Sequence, residues 1–123
     1  MDVRPNLTIP LLEQSKIQAQ VLVPVLRAFR AELGEERANR IAWRALAEWR
    51  QSVARATAAG LQGSPREKWT AATTALLPAI GNDVDVEIRK QDDDTLAFDV
   101  TGCRFAQFFQ ALGEPELGFA LTC

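Results

Sequence analysis

The stretch VDVEIRKQDDDTLAFDVT, residues 84–101, decides the fold. Val84, Val86 and Ile88 alternate with Asp85, Glu87 and Arg89; Leu96, Phe98 and Val100 alternate with Ala97 and Asp99. Apolar residues at every second position mark a strand with one half-buried face. The acidic run at 91–94 separates two such strands as a turn, so the segment reads as an antiparallel hairpin with both apolar sets on one face. Its register is fixed, because a slip of one residue would turn both sets outward. The three consecutive aspartates lack the glycine, spacing and distal glutamate of a calcium-binding loop, and read as a solvated turn.

Upstream of the hairpin the period is helical. Residues 11–33 form a first helix ended by Gly34, with Pro24 inside it predicting a kink or break near Val23. In the second helix Ala38, Ile41, Ala42, Ala45, Leu46, Trp49 and Val53 recur at three- and four-residue steps. That stripe predicts Trp49 to be largely buried. After the loop GLQGSP, Ser64 is placed to cap a third helix that starts at Pro65, carries Glu67 in its first turn and stops near Pro78 or Gly81.

Downstream, Gly102 ends the second strand and CRFAQFFQAL continues as a helix with Phe105, Phe108, Phe109 and Leu112 inward. Gly113 terminates it, and Pro115 opens another short helix carrying Leu117 and Leu121. Helices, then a hairpin, then short helices make an α+β domain, with the N-terminal helices packed on a small antiparallel sheet. Residues 1–123 fit a single domain. A two-stranded sheet is marginal alone, and the chain closes on an apolar run. Both features predict further strands, either beyond this sequence or supplied by a second copy.

Composition removes several functions. Net charge is −2, so there is no overall drive toward nucleic acid or membrane. Residues 1–68 are net positive and the remainder net negative, but the arginines of the second helix are interspersed with Glu36 and Glu48 as on a solvated face. The first ten residues have no basic segment followed by an apolar one, and no apolar run reaches membrane-span length. With two cysteines, a reducing cytoplasm is the expected location and a structural disulfide is not expected. The chain has no histidine, which excludes Ser-His-Asp and Cys-His arrangements within it. Tyrosine is absent too, so proton transfer near neutral pH falls to a carboxylate, a thiol or water.

Both cysteines, Cys103 and Cys123, lie in the closing segment GCRFAQFFQALGEPELGFALTC. Cys103 stands at a strand-to-helix junction, where backbone N–H groups, the helix dipole and Arg104 favour a thiolate or a bound anion. A small buried core residue is the plainer reading of each cysteine. Two thiolates alone are too few for a metal centre.

The stretch FDVTGCRFAQFFQALGEPELGFALTC resembles the signature of the L-2-amino-thiazoline-4-carboxylic acid hydrolase family: a strand ending in Gly-Cys, an aromatic helix, a Leu-Gly-Glu-Pro-Glu-Leu turn and a second cysteine. A weaker likeness, in cysteine spacing, is to small-molecule-binding domains of the 4-vinyl-reductase type. Members of the hydrolase family continue past the second cysteine, so the resemblance implies a C-terminally incomplete unit. It also implies hydrolysis of a cyclic amidine: water attacks C2 of a 2-aminothiazoline and the ring opens toward an N-carbamoyl-cysteine. On that reading Cys103 and Cys123 serve as nucleophile or metal ligands, and Glu114 and Glu116 as proton carriers. Arg104 clamps the substrate carboxylate, and Phe105 and Phe109 line the site. The two sulfurs are then expected within ~10 Å of each other, since one helix runs out and the next returns. The rival is a non-catalytic small-molecule-binding or interaction module whose cysteines are structural, with a homodimer as a further expectation. In that case the glutamates are ordinary first-turn helix charges and Arg104 a surface residue.

Overall fold

The computed structural model describes residues 2–122. Its elements are α1 (Leu11–Leu33), α2 (Glu35–Ala59), α3 (Pro65–Ile80), β1 (Val84–Gln91), β2 (Leu96–Cys103), α4 (Arg104–Ala111) and α5 (Pro115–Thr122). The class is α+β, in the order expected. Gly34 alone joins the two long helices. Its φ of 82° lies in the left-handed region that favours glycine, and its N–H caps α1 on the Arg30 carbonyl at 3.0 Å. Pro24 does not break α1, which runs unbroken from Leu11 to Leu33.

The core lies among helices. Ala19, Val23 and Leu26 of α1 meet Phe109 of α4 and Leu117 and Leu121 of α5; Leu22, Ala42, Trp43, Leu46 and Phe108 close around them. Ala42 and Leu46 of the expected α2 stripe pack on this core, and the burial expected of Trp49 is corrected. Trp43 packs against this core, whereas Trp49 keeps 37% of its surface exposed. The two tryptophans are six positions apart, about 240° around a helix, so both cannot face one partner. Docking of α5 against α2 selects the Trp43 side. The α4–α5 contact is close because Gly118 has no side chain: a Cβ there would stand 2.7 Å from Phe109 side-chain carbons. Gly118→Ala is therefore expected to cost ~1–3 kcal/mol in urea unfolding, through overpacking against a ring that has no room to move.

The start of α3 follows its sequence signals. Ser64 Oγ accepts from the Glu67 N–H at 3.3 Å, and the Glu67 carboxylate accepts from the Ser64 N–H at 2.6 Å, a reciprocal capping box with Pro65 behind it. The Ser64 N–H holds the Glu67 carboxyl below its ordinary value of 4.5. A carboxyl lowered in the folded state adds stability above its unfolded pKa and loses it as pH falls through the folded value. Thermal melts should thus show a Glu67→Gln defect at neutral pH that shrinks as the medium is acidified below about pH 4.5.

The hairpin pairs Val86 with Val100 and Ile88 with Phe98, placing these apolar residues in register as expected, and a bulge at Arg89 shifts the pairing so that Gln91 meets Leu96. Its burial differs from expectation. The strands pack on each other and only slightly on the helices, so Val86, Ile88, Leu96, Phe98 and Val100 are all exposed. The other face is charged, with Arg89 bonded to both Glu87 and Asp99. The strand also outruns its expected end: β2 continues through Gly102 to Cys103, and the helix begins at Arg104. Leu112, expected inward, is exposed after the last turn of α4.

Candidate functional site

Cys103 is the N-cap of α4, partly buried, with an extended backbone and no side-chain hydrogen bond to the helix. The Arg104 N–H is already used by the Asp83 carbonyl at 2.8 Å, and the Arg104 guanidinium approaches the Asp83 carboxylate at 3.5 Å with most of its surface exposed. The cation expected to hold a substrate carboxylate thus has a carboxylate of the chain beside it. Cys123 lies outside the described residues, and with it the expected meeting of the two sulfurs and their use as a metal pair. Among the described residues, no three acidic or cysteine side chains gather as a metal-binding group.

Phe105 and Phe109 are buried, Phe109 completely, at the centre of the core. Neither borders the two cavities described below. Glu114 is only 4% exposed. Arg30 Nη1 donates to both its oxygens at 2.8 and 2.9 Å, and Arg27 Nε donates to Oε1 at 3.2 Å. Arg27 also donates to the Leu112 carbonyl at 3.0 Å, and Arg30 Nε to Asn39 Oδ1 at 2.8 Å. The carboxylate is satisfied by two guanidinium groups, and its geometry is that of a clamp joining α1 to the turn before α5. Cys103 and Glu114 stand at opposite ends of α4, a helix about 12 Å long.

The turn that Glu114 anchors leads into a cavity. Between α2 and α5 lies a space of about 510 Å³ bordered by Trp43, Ala47, Arg50, Pro115, Glu116, Phe119 and Ala120. Trp43, Ala47 and Arg50 share one face of α2 at i, i+4 and i+7, while Glu116 and Phe119 come from the first turns of α5. A cation and a carboxylate thus border one small volume alongside two aromatic rings. Sequence reading named Glu116 in this set and missed Arg50, Trp43 and Phe119. The spacing of Trp43 and Arg50 was visible, but the element they face lies more than sixty residues away.

A larger groove of about 880 Å³ runs between α2, α3 and the N-terminal segment, with Val53, Leu61, Trp69 and Leu76 in its walls. Its charges are largely spent on each other: Arg4 grips Asp2 with a side-chain pair at 2.8 Å and holds that carboxyl down to about 2. The smaller cavity offers the richer chemistry.

Residues 14–123 match the L-2-amino-thiazoline-4-carboxylic acid hydrolase family, and the chain belongs to it. No curated protein and no solved structure was found to match the chain. The family makes the protein hydrolase-like. Among the described residues, no helix is long and apolar enough to cross a membrane.

Proposed function

We propose that this member of the L-2-amino-thiazoline-4-carboxylic acid hydrolase family opens a small carboxylated cyclic amidine, such as a 2-aminothiazoline carboxylate, in the cavity between α2 and α5. The observation that carries this reading is that Arg50 and Glu116 border one cavity beside the rings of Trp43 and Phe119. Such a substrate presents the complementary set: a carboxylate, an amidine that becomes cationic on protonation, and a flat ring. Arg50 takes the carboxylate through its planar fork, and the two aromatic rings hold the heterocycle.

Glu116 then faces the amidine and carries protons. Water adds through oxygen to C2 and gives one proton to the Glu116 carboxylate. The C2–S bond of the protonated amidine's adduct breaks as the C2 hydroxyl collapses to a carbonyl. The Glu116 proton passes to the departing sulfur and the hydroxyl proton is released to solvent, leaving an N-carbamoyl-cysteine. A carboxylate suits this shuttle because the chain holds no imidazole. Cys103 and Glu114 do not border this cavity, and that observation favours a second reading, a binding module without turnover.

The test is incubation of the full chain with 2-aminothiazoline-4-carboxylate, with product followed by mass spectrometry and binding by calorimetry. Turnover should fall at least ~100-fold in Glu116→Gln with binding retained, while Arg50→Ala should raise KM ~10-fold or more. Binding without product selects the module. Absence of both binding and product removes the cavity from consideration.

A further inference from the structure

Two apolar surfaces of this chain have no partner among the described residues. The first is on α1. From Ile17 to Phe29 the only charged side chain is Arg27, which is turned to Glu114 and the Leu112 carbonyl. A helix so apolar all round belongs in an interior, yet α1 buries only the side bearing Leu12, Ser15, Ala19, Val23 and Leu26. Opposite it, Ile17 (60% exposed), Val21 (68%), Val25 and Phe29 form a ridge at four-residue steps, ~18 Å long. The second surface is the hairpin face of Val86, Ile88, Leu96, Phe98 and Val100, where Ile88 is 53% exposed. It extends ~14 Å along the strands. Its reverse side carries the solvated Arg89, Glu87 and Asp99 ion pairs, so the apolar side is the one that calls for cover.

We infer that these surfaces cover each other between two copies of the chain: α1 of each protomer lies across the hairpin of its partner. The match rests on three features. A helix ridge on a sheet face is the packing that an α+β fold requires, and the two lengths agree. Neither patch bears a free charge, so close approach opposes none. The area is also sufficient. The exposed apolar side chains of both patches amount to roughly 850 Å² per chain, and reciprocal docking covers up to about 1,700 Å², inside the range of about 1,200–2,000 Å² for stable interfaces. A two-fold axis generates both contacts at once, because each protomer offers one ridge and one sheet face. The same contact stiffens a hairpin that is marginal alone.

Light scattering on the eluting full chain, with analytical ultracentrifugation for the dissociation constant, tests this. The wild-type chain should be a dimer at micromolar concentration. Val21→Lys and Phe98→Glu should each raise the dissociation constant by roughly a hundredfold while far-UV circular dichroism still shows the helices. Both sites are exposed in the single chain, so neither substitution threatens its fold. Mixing the two variants is the decisive arm. A mixed pair keeps one contact of wild-type α1 on wild-type hairpin. In its second contact the introduced lysine of one chain meets the introduced glutamate of the other. The mixed pair should therefore dimerise about tenfold or more tightly than either variant alone. A monomeric wild type overturns the inference, as does a dimer indifferent to both substitutions. No recovery on mixing overturns it too, since ridge-to-ridge or hairpin-to-hairpin contacts would give that result.

Discussion

Phe109→Ala is expected to lower the unfolding free energy by ~3–5 kcal/mol, measured as a shift of the urea midpoint at constant slope. Phe109 has no exposed surface and stands where α1, α4 and α5 meet. Its ring makes an edge contact with Phe108 at 5.0 Å between centroids, and its flank fills the space opposite Gly118. Removing it leaves a void beside a glycine, which has no side chain to relax inward. The cost should therefore fall at the upper end for a phenylalanine. Phe108→Ala, on a ring only partly buried, should cost less. Equal losses at the two positions would mean that α4 is turned about its axis from the orientation described.

What could be read in the sequence was what is local. The hairpin, its turn and the capping box of α3 are each specified by residues within a few positions of one another, so period and turn chemistry revealed them. The family turn was legible on the same terms, as a string of adjacent residues. The facing of α2 was legible only in part, at Ala42 and Leu46. Its stripe is rich in alanine on several sides, and two tryptophans about 240° apart compete for the interior. The choice between them is made by α5, far along the chain. The cavity set of Trp43, Arg50, Glu116 and Phe119 was hidden for the same reason, because only tertiary docking brings α2 to α5. The hairpin's exposure was hidden differently. Alternation says which face is apolar, and nothing in it says whether the cover comes from the same chain.

Glu114→Ala should cost about 3 kcal/mol and, on the proposed function, should reduce turnover more than binding. The carboxylate is almost fully buried, and its removal leaves Arg30, itself largely covered, without a counter-charge. Losing one partner of a buried pair costs ~3–5 kcal/mol, at the lower end where water can reach the remaining charge. The partners should rank by burial. Arg30→Ala should follow Glu114→Ala closely, whereas Arg27→Ala should stay below ~1 kcal/mol because its guanidinium is more than half exposed. The double substitution Glu114→Gln with Arg30→Met should recover part of the loss, since it leaves no unpaired buried charge behind, Arg27 being more than half exposed. The kinetic expectation follows from position in the chain. Glu114 is the residue before Pro115, its carbonyl accepts the Gly118 N–H at 3.2 Å, and its side chain ties that first turn of α5 to α1. Freed of the clamp, the turn carries Glu116 away from the place where its proton is needed, while Arg50 and Trp43 on α2 keep theirs. Glu114 is thus a positioning residue. Its signature is a fall in kcat with KM little changed, partly restored in Glu114→Gln, which keeps one acceptor oxygen for Arg30 and loses the charge. A variant that loses stability but keeps full kcat would restrict Glu114 to holding the helices together.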